Sequence, residues 1–192
     1  MPRIIAGSRK KMLLRSPPGR KTRPTADRVK ESIFNIISSD IADSSFLDLF
    51  AGTGQMGLEA LSRDAEFCMF VEKDTGVFRV LCENISKCGF KNVECIKSDA
   101  LAFLENSRRR YGIIYIDPPY DSGIYDKALN KIEEKDLLDQ DGKILVEHDF
   151  NIEISGNYGI LIKYREERYG NTKISFYRKR DRYGKIGLPG QL

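Results

Sequence analysis

The chain has 192 residues, of which 41% are hydrophobic and 31% charged, and its formal net charge at pH 7 is +4. This composition is typical of one globular domain that is large enough to bury a core. The longest apolar runs are too short to cross a bilayer, and the first residues lack the apolar segment of a secretory signal, so we expect a cytoplasmic protein.

The distribution of charge singles out the N-terminus. Residues 1–30 hold ten Lys or Arg and one acid, a net charge of +9, which leaves −5 on the other 162 residues. A basic segment on a mildly acidic body favours a nucleic-acid partner, and the alternative is a solvated tail. The residues that we expect to contact phosphates are Arg3, Arg9, Lys10, Lys11, Arg20, Lys21 and Arg23.

The chain divides into three predicted segments: a basic extension over 1–22, a main domain over 23–180 and a tail over 181–192. Within the extension, "RIIAG" and "KKMLL" predict a small β-hairpin that turns at Gly7. The stretch "TADRVKESIFNIISSD" then predicts a helix with Thr25 as its N-cap, because its apolar residues recur on one face.

Apolar runs alternate with helical patterns through the main domain. Strands are predicted at 46–50, 67–72, 93–97, 113–117 and 144–148. Helices are predicted near 55–63, 75–88, 100–110 and 125–138. This alternation predicts an α/β, Rossmann-like fold with a mostly parallel sheet and helices on both faces. The last two strand-like runs flank Gly170 and predict a hairpin at the sheet edge that supplies one antiparallel strand.

The end of the first strand carries a glycine turn. In "LDLFAGTGQMGLEAL", Gly52-x-Gly54-x-x-Gly57 matches the dinucleotide-binding pattern, and Glu72 ends the next strand. In this pattern Gly52 makes the tight turn, Gly54 lets a ligand approach the backbone, and Glu72 accepts hydrogen bonds from a ribose. Asp48 would repel a pyrophosphate but attract the sulfonium and ammonium of S-adenosylmethionine (SAM), so SAM fits this site better than NAD.

Two other residues each allow two interpretations. Asp99, at the third strand end, either accepts a hydrogen bond from an adenine amine or caps the helix that follows. His148 either approaches the substrate pocket or is an ordinary strand-end residue. The four cysteines and the single histidine lack zinc-ligand spacing, so we expect reduced thiols and no metal.

The end of the fourth strand reads "IDPPYDSG", and it fits the methylation of an exocyclic base amine. Such an amine is a poor nucleophile, and two acceptors aimed at its hydrogens help it to react. The Asp117 carboxylate and the Pro118 carbonyl supply two acceptors, and Pro118 and Pro119 hold the turn rigid. Tyr120 offers a flat surface on which a flipped-out base can stack.

The motifs "DLFAGTG", "FVEKD" and "DPPY", in this order, resemble those of class I SAM-dependent amino-methyltransferases. The segments "RIIAGSRKKMLL" and "RPTADRVKESIFNII" are similar to a narrower group, the bacterial 16S ribosomal RNA (guanine(966)-N(2))-methyltransferase family. This resemblance covers residues 2–180 and implies a seven-stranded sheet, SAM as the methyl donor and a guanine of small-subunit rRNA as the acceptor. It also implies a ribosomal particle as the partner, and we expect a monomer.

The resemblance also assigns roles to individual residues. It implies that Arg28 reaches the methionine carboxylate of SAM, and the alternative is a surface salt bridge to Glu31 or Asp27. It implies that SAM contacts Asp48, Phe50, Gly52, Gly54, Glu72, Lys73, Asp99, Ala100, Thr25 and Arg28, and that Asp117, Pro118, Pro119 and Tyr120 are catalytic. Two other functions stay open: a DNA adenine-N6 methyltransferase, which shares "DPPY", and a non-catalytic RNA-binding assembly factor. A NAD-linked oxidoreductase is disfavoured by Asp48.

Overall fold

The computed structural model describes residues 2–17, 27–119 and 122–180, and in these ranges the chain forms one eight-stranded sheet. The strands are β1 Ser45–Asp48, β2 Phe67–Glu72, β3 Val93–Lys97, β4 Tyr111–Ile116, β5 Leu138–Asp149, β6 Asn157–Tyr158, β7 Leu161–Tyr169 and β8 Thr172–Lys179. The helices are α1 Asp27–Ile36, α2 Ser38–Ile41, α3 Gln55–Ser62, α4 Thr75–Cys88, α5 Ala100–Asn106 and α6 Ser122–Glu134. None of these helices is long and apolar enough to cross a membrane.

The strand order is β3-β2-β1-β4-β5-β8-β7-β6. Strands β1 to β5 pair in parallel, and β8 runs antiparallel to both β5 and β7. Strands β2 and β3 lie on one side of β1, and β4 and the later strands lie on the other. The strand order therefore reverses between β1 and β4, and this reversal opens a crevice at their carboxyl ends. The mostly parallel sheet with an antiparallel hairpin strand is therefore confirmed. The hairpin strand β8 lies inside the sheet rather than at its edge, and the two-residue β6 raises the number of strands from seven to eight.

Both faces of the sheet are covered, which explains why its central strands read as continuous apolar runs. One face packs against α1, α2, α3 and α4 through buried residues such as Phe34, Leu58 and Leu81. The other face packs against α5 and α6 through Leu104 and Leu129. The predicted helix after the basic linker is divided into α1 and α2, and α5 ends at Asn106 instead of residue 110. The tail over 181–192 lies outside the described residues.

The N-terminal segment packs onto α3, and its predicted hairpin forms through an antiparallel bridge between Arg3 and Leu13 and backbone hydrogen bonds that join residues 2–4 to residues 11–14. A 3₁₀ turn at Gly7–Arg9 takes the place of a tight β-turn, because this part of the chain follows the surface of α3. Gly7 has a φ of +76°, and a Cβ there would lie 1.5 Å from the Ser62 carbonyl oxygen, so only glycine fits. The predicted boundary at residue 22 lies outside the described residues.

Candidate active site

A cavity of about 710 Å³ lies at the carboxyl ends of β1, β2, β4 and β5. Its walls include the glycine loop after β1 at Gly52 and the end of β4 at Asp117. Pro2 and Pro17, at the two ends of the N-terminal segment, also line it. The predicted cofactor loop and the predicted catalytic motif therefore line the same cavity.

The glycine loop is held by Glu72. Its Oε2 accepts a hydrogen bond from the Gly52 N–H at 3.0 Å, and its Oε1 accepts one from the Asp74 N–H at 2.7 Å. A Cβ on Gly52 would meet nothing within 4 Å, whereas one on Gly54, at φ +83°, would lie 2.6 Å from Leu81 Cδ1. Gly54 does not line the cavity. Gly52 therefore faces open space in the cavity wall, whereas the lack of a side chain at Gly54 allows the loop to pack on α4. The ligand contacts predicted for Gly52 and Gly54 stay predictions.

Asp48 borders the cavity from the end of β1, and its side chain is buried. Its Oδ2 accepts a hydrogen bond from the Gly57 N–H at 2.9 Å, which fastens α3 to the strand end. Burial raises the pKa of this carboxyl to about 7, although the hydrogen bond from Gly57 acts in the opposite direction. A cation in the cavity favours the ionised form of Asp48, so the buried acid and a positively charged ligand stabilise each other.

Asp117 follows β4 and is exposed to the cavity, and Pro118 and Pro119 also line it. The protein around the cleft removes much of the water from the Asp117 carboxyl, which raises its pKa well above the ordinary range. The negative charges of Glu147 and Asp48 raise the pKa further. Tyr120 lies outside the described residues.

The other predicted SAM contacts divide into two groups. Phe50, Lys73 and Ala100 line the cavity. Asp99 caps α5, because its Oδ1 accepts hydrogen bonds from Leu101 N–H at 2.9 Å and Ala102 N–H at 3.3 Å. Its neighbours in sequence line the cavity, but Asp99 itself does not.

Arg28 is also absent from the cavity wall. It lies exposed on α1, where the next residue, Val29, lines the cavity instead. Thr25, the other predicted contact in this region, lies outside the described residues. A role of Arg28 at the methionine end of SAM stays a prediction.

The basic residues predicted to bind RNA differ in their surroundings. Arg3 forms an exposed ion pair with Asp27 at 2.8 Å, and the Arg9 Nε donates to the Cys88 carbonyl at 2.8 Å. Lys10 and Lys11 are exposed. Arg20, Lys21 and Arg23 lie outside the described residues. Among the described basic residues, these two lysines are therefore better placed for phosphates than Arg3 or Arg9.

The structure adds side chains that the sequence analysis did not assign. Glu147, near the end of β5, lines the cavity, and its carboxylate accepts a hydrogen bond from the Tyr115 hydroxyl. Tyr169 lines the same cavity, and its hydroxyl lies 2.6 Å from Ser32 Oγ on α1. The signal for Glu147 was present in "ILVEH", since an acid there ends an apolar run as Asp48 and Glu72 do.

His148 also reaches the cavity wall, although it is largely buried. Its Nε2 lies 2.9 Å from Ser175 Oγ and its Nδ1 lies 3.1 Å from the Asp149 carbonyl oxygen. Burial lowers the pKa of this imidazole. Both ring nitrogens are therefore engaged within the protein, which favours the structural interpretation of His148.

Acidic groups dominate the cavity. Asp48, Glu72, Asp117 and Glu147 all line it, whereas Lys73 is the one Lys or Arg among the described lining residues. Such a wall favours a ligand that carries positive charge. The volume, the glycine loop and the acid at the end of β2 together fit SAM, which has a sulfonium, an ammonium and a ribose.

Comparison with known proteins agrees with this chemistry. The family model described as "Conserved hypothetical protein 95" matches residues 2–178. The chain belongs to this family. The "Putative rRNA methyltransferase YlbH" of Bacillus subtilis (strain 168) is 38% identical over 182 residues, which are 93% of this chain and 99% of that protein. The "Ribosomal RNA small subunit methyltransferase D" of Escherichia coli (strain K12) is 35% identical over 147 residues, or 77% and 74% of the two chains.

A solved structure extends the agreement to the fold. The "Putative methyltransferase yhhF from Escherichia coli" matches with a TM-score of 0.84 and 30% identity, over 92% of this chain and 97% of that one. This member of the "Conserved hypothetical protein 95" family is thus a SAM-dependent methyltransferase. The predictions of the family, the fold class, the enzyme class and SAM as the cofactor are confirmed.

Proposed function

We propose that the protein transfers a methyl group from SAM to the exocyclic N2 amine of a guanine in 16S rRNA, namely guanine 966 as the family resemblance implies. The observation that carries this proposal is that Asp117 and Pro118 share one cavity with Gly52 and Glu72. The names of the relatives from Bacillus and Escherichia support rRNA as the substrate class. We also propose the small ribosomal subunit as the partner, a monomeric enzyme and a cytoplasmic site of action.

Each part of the cavity has a role in this proposal. Gly52 and Glu72 hold the nucleoside part of SAM, and Asp48 stabilises its positive charge. When bound, SAM supplies an electrophilic methyl carbon whose bond to sulfur breaks as the bond to N2 forms. Lys73, Phe50 and Ala100 border the space for the ribose and the adenine.

The chain's own residues prepare the amine. The Asp117 carboxylate and the Pro118 carbonyl accept hydrogen bonds from the two N2 hydrogens, which stabilises the positive charge that develops on nitrogen. Asp117 then takes up the proton that N2 loses, and its raised pKa makes the carboxylate a stronger base for that step. Tyr120 serves as the stacking surface for the base, and Lys10 and Lys11 contact rRNA phosphates.

The test is the transfer of tritium from labelled SAM to small-subunit particles prepared from cells that lack this protein. We expect the wild type to label 16S rRNA at one guanine. Asp117→Ala is expected to lower kcat by about 100-fold or more while SAM binding, measured by calorimetry, is retained. The matched control is Asp141→Ala, because Asp141 is exposed on β5 and does not line the cavity.

Three results would count against the proposal. Full activity of Asp117→Ala would refute the mechanism. Labelling of duplex DNA in preference to rRNA would favour a DNA adenine-N6 methyltransferase. A protein that binds no SAM would be a non-catalytic assembly factor.

A further inference from the structure

Glu147 lies beside the proposed catalytic motif on the neighbouring strand. Tyr115 on β4 pairs with Leu145 on β5, and each strand places an acid two residues later, Asp117 and Glu147. Side chains two residues apart on a strand share one face of the sheet, so both carboxylates lie on the same side. Both also line the cavity.

Tyr115 holds Glu147 in position. The Tyr115 hydroxyl donates a hydrogen bond to Glu147 Oε2. Burial, followed by the charge of Glu147, raises the pKa of Tyr115 well above its ordinary value, so this hydroxyl stays protonated and remains a donor. Glu147 is also the charged neighbour with the largest effect on Asp117. The two carboxylates are thus held close together in one wall.

A second acid is not needed to activate the N2 amine. Asp117 and the Pro118 carbonyl already account for both N2 hydrogens in the proposed function. The N2 amine is attached to C2, which lies between N1 and N3 in the ring, and a carboxylate in the wall beside Asp117 can reach N1. Guanine carries a hydrogen on N1, whereas N1 of adenine and N3 of cytosine are acceptors that a carboxylate repels.

We propose that Glu147 selects guanine by accepting a hydrogen bond from N1–H while Asp117 engages N2. Tyr115 acts as a positioning residue that orients the Glu147 carboxylate. This inference rests on the proposed function and deepens it, since it names the group that tells guanine from other bases. A site built around such a hydrogen bond rejects bases that carry an acceptor at this position, because the carboxylate then faces another acceptor in place of a donor.

The experiment compares two bases in reconstituted small-subunit particles. The 16S rRNA carries either guanine or 2-aminopurine at the nucleotide that the wild type methylates. The base 2-aminopurine keeps the 2-amino group but has an acceptor at N1. We expect the wild type to favour guanine by roughly 100-fold in kcat/KM.

Glu147→Gln should change this preference. Its amide can donate to N1 of 2-aminopurine, so the rate on guanine is expected to fall about 100-fold and the ratio between the two bases to narrow to within about tenfold. Glu147→Asp keeps a carboxylate and is expected to keep the preference at a lower rate. Glu153→Gln, at a side chain 84% exposed, is the control and should leave both rates unchanged.

The outcomes separate this inference from the proposed function. If the wild type methylates rRNA but uses both bases equally, or if Glu147→Gln keeps the wild-type ratio, Glu147 does not select the base. If the wild type methylates no rRNA, the proposed function itself fails. The wild-type comparison needs no variant, so the inference stays testable even if Glu147→Gln does not fold.

Discussion

Four neighbouring strands each place a carboxylate on the cavity: Glu72 from β2, Asp48 from β1, Asp117 after β4 and Glu147 from β5. Burial, and after it the negative charge of neighbouring carboxylates, raises the pKa values of Asp48 and Asp117. The arrangement is unfavourable for the protein alone and favourable for a protein with a cation bound. The buried carboxylates thus lower the stability of the folded protein at the proposed SAM site.

Asp48→Asn tests this balance. The pKa of Asp48 is about 7 in the folded protein against an ordinary value of 3.8, so between these pH values the folded chain holds a proton that the unfolded chain releases. Wild-type stability therefore decreases as pH rises through this window, and the neutral amide of the variant avoids that loss. We expect the variant to equal the wild type near pH 4 and to be more stable above pH 7, by about 2–4 kcal/mol in urea unfolding.

The same substitution should weaken SAM binding by roughly tenfold, because a neutral amide attracts a cation less than a carboxylate. Asp141→Asn is the control for both measurements, since Asp141 is exposed. Parallel pH profiles for Asp48→Asn and the wild type would show that Asp48 ionises normally in the folded protein.

At the scale of the secondary-structure elements, α3 joins the cofactor loop to the N-terminal segment. The helix begins at Gln55, directly after the glycine loop, and Glu59 on its buried side accepts hydrogen bonds from the Ile5 and Ala6 N–H groups at 2.7 and 3.0 Å. Glu59 also pairs with the buried Lys30 of α1 at 3.4 Å. One buried carboxylate thus connects the N-terminal segment, α1 and α3.

A second connection runs through Asn84 of α4. Its Oδ1 accepts from the Arg15 N–H at 2.8 Å, and its Nδ2 donates to the Thr53 carbonyl at 2.9 Å. The end of the N-terminal segment is thereby linked to the glycine loop. The segment is part of the structure that supports the proposed SAM site.

Glu59→Gln should loosen this arrangement. The substitution leaves Lys30 buried without its anionic partner. It also places an amide N–H₂ group opposite backbone N–H groups that need an acceptor. We therefore expect the free energy of unfolding, measured in urea at pH 7, to fall by about 3 kcal/mol. The matched control is Glu83→Gln, which breaks the exposed pair with Arg15 and is expected to cost less than about 1 kcal/mol. Equal losses in the two variants would mean that the buried pair contributes no more than a surface pair.

At the scale of the whole molecule, the basic surface is separate from the acidic cavity. The acidic cavity lies at the carboxyl ends of the strands, and the basic N-terminal segment packs on the α3 face of the sheet with Pro2 and Pro17 in the cavity wall. A polyanion that binds the segment is thus brought to the mouth of a cavity that itself repels phosphate. In the proposed function, the basic segment therefore supplies affinity for rRNA, and the neighbouring acidic cavity supplies the chemistry.

The double variant Lys10→Gln, Lys11→Gln tests this division. If both lysines contact phosphates, rRNA affinity falls and the slope of log K against log salt concentration decreases by about 2 in magnitude, whereas SAM binding is unchanged. Lys127→Gln on α6 is the control, because α6 packs on the opposite face of the sheet. An unchanged salt slope in the double variant would exclude these lysines from the RNA interface.

Much of the site could be predicted from the sequence because its motifs each consist of residues that are close together along the chain. The glycine turn, the acids at strand ends and the prolines after Asp117 are visible along a few positions each. Contacts between distant segments were not predicted in the same way. Glu59 reads as an ordinary helix residue, yet it meets Ile5 and Ala6 more than 50 positions away.

The amino-acid sequence by itself determined the order of helices and strands, the cofactor loop and the acid that faces it. These are consequences of hydrophobic periodicity and of residues with special backbone chemistry. Only the tertiary structure decided that β8 inserts beside β5, that Gly52 rather than Gly54 faces the cavity, and that Glu147 stands beside Asp117. Which strands become neighbours, and in what register, depends on packing over both faces of the sheet, and no single stretch of sequence contains that information.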